Sequence, residues 1–530
     1  MHNGKQISGW FKGVIAIAII LGIFFRFFHL DRKVYWFDEV YSTTRMAGYT
    51  IEEVRQEIFQ NQILTAPALQ KYQQPKPNSN LLDTIDVLIQ EDAKHPPLYY
   101  SLGSLWMRQF GSSITLTRCL PALISVLALP LMFLLGIELF SSHIIASLAT
   151  GLIALSPFDI LFAQTVRQYS LLTVLILASS WLLLRALRLN RWQAWGWYTV
   201  VCAMGLYTHL FFSLTLLAQG VFTVSQQLFT RAPSKPFLHK LRSLFPYVLA
   251  IAGTFILYIP WTVALLTGGE RTYASSNWLS SSLHFVTLIK FWILSFSSLF
   301  FDLDLGFNHP ITYLLRLPFI VLIVWAFYLL WKKASHIASR FVLASSLIPF
   351  LALALPDLIL GGQRSAITRY LVCSFPGIQL AVAYLLGTYL PNRRVWRGIW
   401  ATILTASLAS CVVSAYSSSW WSKGVSVAND KTANLLNSLE TPLVISDLGD
   451  SYLNQGNLIS LSYRLAEDVQ LLLINEDAIA EGLSKVRTSN ITDVVFYSPS
   501  SALQQQATAK WGELTFMEPP EANILYLKQD

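Results

Sequence analysis

Two adjacent carboxylates form the first candidate for chemistry in this sequence. Asp38 and Glu39 follow the first apolar stretch, within the string Trp36-Phe37-Asp38-Glu39-Val40-Tyr41. Partial desolvation near a membrane surface makes a carboxylate a better base. Adjacent side chains point in different directions, so one could act as the base while the other binds a metal, a phosphate neighbour or the backbone. A solvated pair at a helix end is the commoner explanation of an isolated Asp-Glu, so the pair needs support from other motifs.

Two histidine motifs lie further along the chain. His95 opens the string His95-Pro96-Pro97-Leu98-Tyr99-Tyr100, in which two prolines stiffen the chain before a short apolar segment. His209 lies in Tyr207-Thr208-His209-Leu210-Phe211, between two apolar stretches. The alternatives are a simple turn for the first motif and a packed, satisfied histidine for the second. We predict that His95, Tyr99 and His209 bind substrate.

Arg167, Arg364 and Arg369 lie in segments that we predict to be on the outer side of the membrane, where positive charge is disfavoured. Basic residues concentrate in cytoplasmic loops, so an arginine at the opposite surface needs an anionic partner. A guanidinium can hold a phosphate through two hydrogen bonds, although lipid-headgroup contact is an equally good explanation for one arginine. Such arginines lie in two segments, residues 156–169 and 361–370. The candidate substrate-binding residues of these segments are Asp159, Arg167, Tyr169, Arg364, Arg369 and Tyr370.

The composition identifies the scaffold as membrane-embedded. Hydrophobic residues make up 54% of the 530 residues and charged residues only 13%, against roughly 25% charged in soluble domains. Several stretches approach the roughly 20 apolar residues that cross a bilayer, and such spans must be helical. The net charge of +8 could suggest nucleic acid, but basic cytoplasmic loops explain it better, and we predict no nucleic-acid partner.

The N-terminal segment reads as a retained first span. Lys5 and Lys12 precede the apolar run 14–25, and no small-residue cleavage site follows. The cysteines lie in or beside apolar segments, so no disulfides are expected; they are Cys119, Cys202, Cys373 and Cys411.

Four basic clusters fix a topology if all are cytoplasmic. They comprise Arg185, Arg188 and Arg191; Arg231, Lys235, Lys240 and Arg242; Lys332, Lys333 and Arg340; and Arg393, Arg394 and Arg397. They predict about 11 spans with the N-terminus inside and the C-terminus outside. These fall at 13–28, 118–140, 143–161, 169–189, 193–208, 210–229, 244–266, 311–331, 340–357, 369–390 and 398–416.

Two apolar stretches are interpreted as in-plane or re-entrant helices. Residues 96–110 are short and begin with two prolines, and residues 283–301 would invert the later basic clusters if they crossed. If both cross, the count becomes about 13 and both termini keep their sides.

The outer segments set the domain boundaries. We predict a transmembrane domain over 1–417, which includes a first outer loop at 29–117, and a small α/β domain outside the membrane at 420–530. The loop contains an amphipathic stretch at 51–64, a polar insert at 73–80 and a second helical stretch at 81–92. No internal repeat is seen. The tail has β-like runs at 442–446, 469–474, 493–497 and 524–527.

In this order, the motifs resemble a known family. Asp38-Glu39, the His95 string, Arg118-Cys119-Leu120-Pro121-Ala122, Ser156-Pro157 with Arg167-x-Tyr169, and Arg369-Tyr370 look like the bacterial branch of the GT-C glycosyltransferases. That branch is similar to the protein O-mannosyltransferases and the lipid A aminoarabinose transferase. The resemblance covers residues 10–390, and the tail has no motif that we can assign.

The resemblance implies a polyprenyl-phosphate sugar donor, an outer active site and inversion at the anomeric carbon. It also implies an essential aspartate in the first outer loop, a role that falls to Asp38 with Glu39 beside it. No cofactor is implied for certain; a divalent metal, if one is used, would be held by Asp38 or Asp159. Many relatives have Gln-Glu-x-Arg before the next span, whereas Thr165 stands here in place of the glutamate. If that acid binds a metal or the acceptor in relatives, this chain must do so differently, and Asp159 is a candidate substitute.

These inferences predict a polytopic, inverting hexosyl- or pentosyltransferase of the cell membrane. Its partners would be the lipid-linked sugar, membrane lipids and an extracytoplasmic protein, lipid or glycan. A lipid-linked-sugar transporter or flippase would need polar residues throughout the spans, whose inner halves are largely apolar. A polysaccharide polymerase or ligase would share the donor, and nothing in the sequence fixes the acceptor. A scaffold for the outer domain would leave the outer motifs unexplained.

Overall fold

A computed structural model describes residues 9–228, 237–268, 277–450, 453–486, 493–517 and 524–527. The predicted basic residues Lys5, Arg231 and Lys235 lie outside these ranges. The chain divides into two compact units. The helical unit comprises Met1–His29, Leu88–Tyr99 and Arg118–Tyr416, and the sheet unit comprises Leu30–Val87, Tyr100–Thr117 and Ser417–Asp530.

The helical unit is a bundle of apolar helices, as the composition predicts. Eight helices in the described part of the chain are long and apolar enough to cross a membrane, or nine if one bent pair is a single span. The multi-pass membrane architecture is therefore confirmed. The main helices are Gly9–Phe27, Ile114–Val126, Ala128–Phe140, His143–Ala154, Pro157–Ala163, Tyr169–Leu189, Trp192–Thr208, Phe212–Leu228, Phe237–Thr267, Pro310–Leu314, Leu317–Lys333, His336–Leu360, Phe375–Tyr389 and Arg394–Tyr416.

The count is lower than the predicted 11 or so because two predicted spans are short helices. Trp192–Thr208 and Phe212–Leu228 have 17 residues each. At 1.5 Å per residue each is about 26 Å long, less than the roughly 30 Å of a hydrocarbon core. The sequence showed continuous apolar character there but not where each helix ends.

The span predicted at 143–161 is a broken helix. His143–Ala154 and Pro157–Ala163 meet at an angle of 54°. Ser156 caps the second piece by accepting a hydrogen bond from the Asp159 backbone N–H, and Pro157 occupies its first turn. A serine cap followed by proline is a standard helix start, so the sequence favours two helices here.

A buried arginine satisfies the backbone at this break. The guanidinium of Arg26 donates to the carbonyls of Gly22, Ile153 and Ala154 and to the Ser125 hydroxyl. Carbonyls released at a helix end within a membrane protein must find other donors. Arg26 supplies them, so an arginine that seemed only to end the first span holds the broken helix in place.

Two shorter helices occupy the stretches predicted to lie in the membrane plane. Pro97–Phe110 has 14 residues and Phe285–Ser297 has 13. Both are about 20 Å long, too short to cross unaided. Their in-plane placement stays a prediction.

The sheet unit is built on one six-stranded sheet in the order β1-β3-β2-β4-β6-β5. The strands are β1 Gln62–Thr65, β2 Pro442–Ser446, β3 Gln470–Leu473, β4 Asp493–Tyr497, β5 Leu514–Phe516 and β6 Ile524–Leu527. β3, β2 and β4 are parallel, and the outer strands are antiparallel to their neighbours. The four β-like runs of the tail correspond to β2, β3, β4 and β6.

Strand β1 comes from the first outer loop, which corrects the amphipathic stretch predicted at 51–64. The helix there ends at Ile58, and Asn61 adopts a φ of 54°. Gln62–Thr65 then pairs with β3, placing Ile63 opposite Leu472. Apolar spacing compatible with a helix hid the strand, because only the partner β3 makes the extended conformation favourable.

The division into units groups residues 30–87 and 100–117 of the first outer loop with the tail, whereas residues 88–99 belong to the helical unit. The predicted domain boundaries at 417 and 420 separate the whole loop from the tail. The helices of this unit include Phe37–Ala47, Ile51–Ile58, Ala66–Gln70, Leu81–Glu91, Asn429–Leu436, Asn454–Ser462, Ile479–Ser484 and Ser501–Trp511. An apolar core formed by strands and helices of this unit includes Leu443, Ile445, Leu472, Phe496 and Leu503.

Candidate functional site

His95 and Arg167 meet in the helical unit. Arg167 Nη2 lies 3.1 Å from His95 Nε2, and His95 Nδ1 lies 2.9 Å from Asp92 Oδ2. A guanidinium only donates, so Nε2 accepts and the ring proton of His95 sits on Nδ1, facing Asp92. The contact therefore orients a neutral histidine and a buried arginine together.

The backbone around Arg167 is held by a neighbouring amide. Arg167 lies in the connection between the Pro157–Ala163 and Tyr169–Leu189 helices. In that connection Gln164 Nε2 donates to the carbonyls of Phe25 and Phe28 at 2.7 and 2.8 Å. The connection is thus tied to the end of the first helix, which fixes where the guanidinium can reach.

His209 joins the same cluster. It lies between the Trp192–Thr208 and Phe212–Leu228 helices, and its Nδ1 accepts a hydrogen bond from the Phe211 N–H at 3.0 Å. Burial lowers the pKa of His209 from 6.5 to about 3, and nearby His95, Arg167 and Arg369 act in the same direction. The imidazole is therefore neutral at physiological pH, with its proton on Nε2.

Aromatic rings connect the remaining members of the cluster. The ring of Tyr169 lies 5.8 Å from that of His209, and the ring of Tyr370 packs edge-on against Phe211 at 4.8 Å. The Arg369 guanidinium lies 5.5 Å from the centre of the Tyr370 ring. We call His95, Arg167, Tyr169, His209, Arg369 and Tyr370 the basic cluster.

Arg364 and Asp159 have other partners. Arg364 Nη1 donates to Asp357 Oδ1 at 3.1 Å, and the Asp357 side chain is fully buried. Asp159 Oδ2 accepts from Gln379 Nε2 at 2.8 Å, and it lines a small cavity with Arg26 and Tyr169. Arg364 is thus paired with a buried carboxylate, and its substrate-binding role, like those of Arg167, Arg369 and Asp159, stays a prediction.

Tyr99 is completely buried. It lies in the first turns of the Pro97–Phe110 helix, four residues after His95. Its substrate-binding role stays a prediction.

The Asp38–Glu39 pair begins a helix in the sheet unit, and its two members differ. Asp38 is partly exposed in the first turn of Phe37–Ala47. Glu39 is fully buried, and its Oε2 accepts from the Trp36 N–H at 3.1 Å and from Lys423 Nζ at 2.9 Å. Glu39 is thus held in an ion pair, which leaves Asp38 as the stronger candidate for a base.

No group of three or more His, Cys, Asp or Glu side chains among the described residues has a geometry suited to a metal ion. Asp159 has Gln379 as its partner, and Glu39 beside Asp38 is paired with Lys423. The donor sets around Asp38 and Asp159 therefore do not favour a metal.

Gln168 is a site candidate that sequence reasoning passed over. Its side chain is completely buried, and neither amide atom has a hydrogen-bond partner within the described ranges. Leaving a buried amide unsatisfied costs about 1–3 kcal/mol per group. Gln168 sits between Arg167 and Tyr169, and its polar type beside them was the only sequence signal.

Comparison with known proteins agrees with the motifs. The family described as dolichyl-phosphate-mannose-protein mannosyltransferase matches residues 94–264. The chain resembles the GT-C glycosyltransferases. The matched region of this GT-C-like chain contains His95, Arg167 and His209. Comparison with curated proteins gives no match.

Solved structures of three other proteins resemble this GT-C-like chain to different degrees. ArnT from Cupriavidus metallidurans bound to undecaprenyl phosphate has a TM-score of 0.54 at 11% identity, covering 97% of this chain and 98% of ArnT. The oligosaccharyltransferase of Archaeoglobus fulgidus in its apo form has a TM-score of 0.49 at 12% identity, covering 92% and 69% of the two chains. The Pmt1-Pmt2 complex of S. cerevisiae bound to the sugar donor has a TM-score of 0.34 at 13% identity, covering 51% and 35%. The match to ArnT shows a common architecture over nearly the full length.

Proposed function

We propose that this chain is an inverting glycosyltransferase that moves a sugar from a polyprenyl-phosphate donor to an extracytoplasmic acceptor. The observation that carries the proposal is the basic cluster. It brings His95, Arg167, His209 and Arg369 together at the ends of apolar helices. The structural neighbour ArnT is bound to undecaprenyl phosphate, which supports a polyprenyl-phosphate donor for this chain.

The charges of the cluster suit a phosphate. Arg167 is buried, and its Nη2 donates to His95 Nε2. A donor phosphate could bind to this guanidinium and to that of Arg369, since arginine holds a phosphate through two parallel hydrogen bonds. The Nε2–H group of His209 could donate a hydrogen bond to the same phosphate.

Helix directions support an outer position for the cluster. Arg167 precedes the Tyr169–Leu189 helix, whose far end carries Arg185 and Arg188. That helix has 21 residues, so it separates the two arginine groups by about 32 Å, roughly one membrane thickness. Arg369 and Arg393 likewise lie at opposite ends of the candidate span Thr368–Tyr389. If the plain basic loops are cytoplasmic, the cluster faces the outside.

The reaction follows from these groups. The bond between the anomeric carbon and the donor phosphate breaks as the acceptor oxygen attacks from the opposite face. Arg167 and Arg369 would stabilise the charge that grows on the leaving phosphate. Asp38 would take the proton of the acceptor hydroxyl, a contribution of about 10²–10⁴-fold. A single displacement inverts the anomeric carbon and needs no protein nucleophile.

Transfer by purified full-length protein tests the proposal. The protein is reconstituted in liposomes with a panel of radiolabelled undecaprenyl-phosphate sugars and the envelope fraction of a strain lacking the gene. We expect one sugar to move from lipid to a non-lipid product of inverted anomeric configuration. Release of none of the sugars would overturn the proposal, and retention of configuration would remove the single-displacement mechanism.

Labelling tests the orientation. The variants Lys76→Cys and Asp450→Cys place a thiol in the first outer loop and in the tail, in a background without the four native cysteines. Both should react with a membrane-impermeant maleimide added to intact spheroplasts. Reaction of either only after the membrane is opened would overturn the proposed sidedness.

A further inference from the structure

The segment Trp421–Ala428 approaches the helix start that carries Asp38. Lys423 Nζ donates to Glu39 Oε2 at 2.9 Å, and both side chains are almost completely buried. Three residues later, Ser426 Oγ accepts from the Phe37 N–H at 3.0 Å. Two side chains of one segment therefore hold the residues on either side of Asp38.

A glycine lets the segment make both contacts. Gly424 adopts φ 56° and ψ −126° between Lys423 and Ser426, a conformation that side-chain-bearing residues rarely adopt. The chain turns there, so that Lys423 and Ser426 both face the Trp36–Glu39 turn.

Hydrogen bonds continue from Ser426 to the sheet. Ser426 Oγ donates to Asn457 Oδ1 at 2.9 Å, and Asn457 Nδ2 donates to the Tyr497 hydroxyl. Tyr497 ends β4, and its hydroxyl donates to Asn429 Oδ1 at 2.9 Å. Asn429 Nδ2 in turn donates to Asn457 Oδ1 at 3.0 Å. Each of these buried polar side chains has its partners, and such a network is rigid when fully satisfied.

We propose that Lys423 is a positioning residue for the transfer reaction, which fixes the Asp38 helix start by pairing with Glu39, and that Ser426, Asn457 and Tyr497 extend this support to the sheet. The inference rests on the proposed function, in which Asp38 is the base. It assigns the tail domain a part in catalysis: its central strand and the segment before it set the position of a side chain in the first outer loop. None of these residues touches substrate in this account.

The pair stands out against a matched pair in the same unit. Lys71 Nζ lies 3.0 Å from Glu57 Oε2, but those side chains are 56% and 44% exposed. Exposed ion pairs contribute little, whereas losing one partner of a buried pair leaves an uncompensated charge in the interior. Lys71→Met is thus the control for Lys423→Met.

The test measures transfer and donor binding separately on the full-length protein in liposomes. The radiolabelled undecaprenyl-phosphate sugar that wild type uses is the substrate, and undecaprenyl phosphate is the binding probe. We expect Lys423→Met to lower kcat at least tenfold while KM for donor and the Kd for undecaprenyl phosphate change less than about twofold, since a 1 Å misplacement can cost about 10²-fold. Lys423→Arg should recover a large part of kcat, and Lys71→Met should match wild type.

Tyr497→Phe keeps the test sharp if Lys423→Met does not fold. It removes only the hydroxyl that joins Asn457 to Asn429, so we expect a kcat loss of about three- to tenfold with unchanged donor binding. Tyr463→Phe, whose ring packs on Tyr35 outside this network, is its control. A folded Tyr497→Phe with wild-type kcat, or Lys423→Met equal to Lys71→Met, would overturn the inference.

Asp38→Asn distinguishes a failure of the proposed base from a failure of the positioning role of Lys423. If Asp38→Asn transfers sugar as well as wild type, the proposed base is wrong whatever Lys423 does. If Asp38→Asn is inactive and Lys423→Met is fully active, Asp38 stands and the positioning role falls. Adding Lys423→Met to Asp38→Asn should cause no further loss, because both changes act through the same side chain.

Discussion

Arg167 should control donor affinity through its guanidinium and not only through its charge. Arg167 is 5% exposed, and its Nη2 lies 3.1 Å from His95 Nε2. A hydrogen bond to a charged group contributes about 1.5–3 kcal/mol, and 1.4 kcal/mol is a factor of ten in affinity. Arg167→Lys keeps the charge but loses the two-pronged contact, so we expect undecaprenyl phosphate to bind about tenfold more weakly. Arg167→Gln should weaken binding about 100-fold.

Thermal unfolding of detergent-solubilised protein can measure this loss. At a ligand concentration of 100 times the wild-type Kd, binding stabilises the fold by about 2.7 kcal/mol. By the same relation, this stabilisation falls to about 1.4 kcal/mol for a tenfold weaker site and about 0.4 kcal/mol for a 100-fold weaker one. The ligand-induced rise in Tm should shrink accordingly in the two variants.

The control removes a different arginine with its partner. Arg364 is bonded to Asp357, so the double change Arg364→Gln with Asp357→Asn removes the pair without leaving a buried charge. Its ligand-induced stabilisation should equal that of wild type. If both Arg167 variants retained the full rise in Tm, or the control lost it, the assignment of the phosphate to the basic cluster would be refuted.

Three further predictions concern other parts of the molecule. His209 has a lowered pKa in the folded state, so between pH 6.5 and about 3 the unfolded chain binds a proton that the folded chain does not. The free energy of unfolding should therefore fall as the pH drops through this window, by at most about 1.4 kcal/mol per pH unit. The melting temperature of His209→Gln, measured by circular dichroism, should depend less on pH. Gln168→Met replaces an unsatisfied buried amide with an apolar side chain of similar size, so its Tm should equal or exceed that of wild type while sugar transfer falls at least tenfold; a fully active variant would exclude Gln168 from the site. A Cβ on Gly456 would come within 2.8 Å of the Tyr41 ring, whereas one on Gly196 meets nothing within 4 Å. Gly456→Ala should therefore destabilise the fold by about 1–3 kcal/mol, and Gly196→Ala should stabilise it by about 0.5–1 kcal/mol. Equal melting temperatures of the two variants would contradict the close packing of Gly456 against Tyr41.

Apolar run length predicted the helical scaffold well because the bilayer imposes it. A stretch such as 169–189 matches the Tyr169–Leu189 helix residue for residue, since its flanking polar residues mark both ends. The break at Leu155–Ser156 was missed because hydropathy averages over it. Ser156 and Pro157 signal a new helix, but the donor that makes the break tolerable, Arg26, lies far away in sequence.

Long-range pairing limited what could be said of the outer segments. β2 and β4 were evident as apolar runs, since both are buried on both faces. β1 was hidden because its pattern is ambiguous and its partner β3 is about 400 residues away in the sequence. The sheet unit therefore joins two segments that the sequence predicts as separate domains.

The candidate site shows the same division. The sequence suggested that Arg167 and Arg369 bind phosphate and that His95 and His209 bind substrate, and in the structure these four side chains lie near one another. Arg364 looked equivalent until Asp357 proved to be its partner. Lys423 carried no signal at all, because a lysine after the last span has no mark that it will be buried against Glu39.

Sugar transfer by Asp38→Asn decides whether Asp38 is the base of the transfer reaction. The change keeps the size and the position of the side chain in the first turn of Phe37–Ala47 and removes only its basicity. Asp31→Asn, an exposed carboxylate in the same outer loop, is the control. We predict that Asp38→Asn folds, binds undecaprenyl phosphate as wild type does and loses transfer by about 10²–10⁴-fold, while Asp31→Asn stays active. Undiminished transfer by Asp38→Asn would contradict the proposal that Asp38 is the base of the transfer reaction.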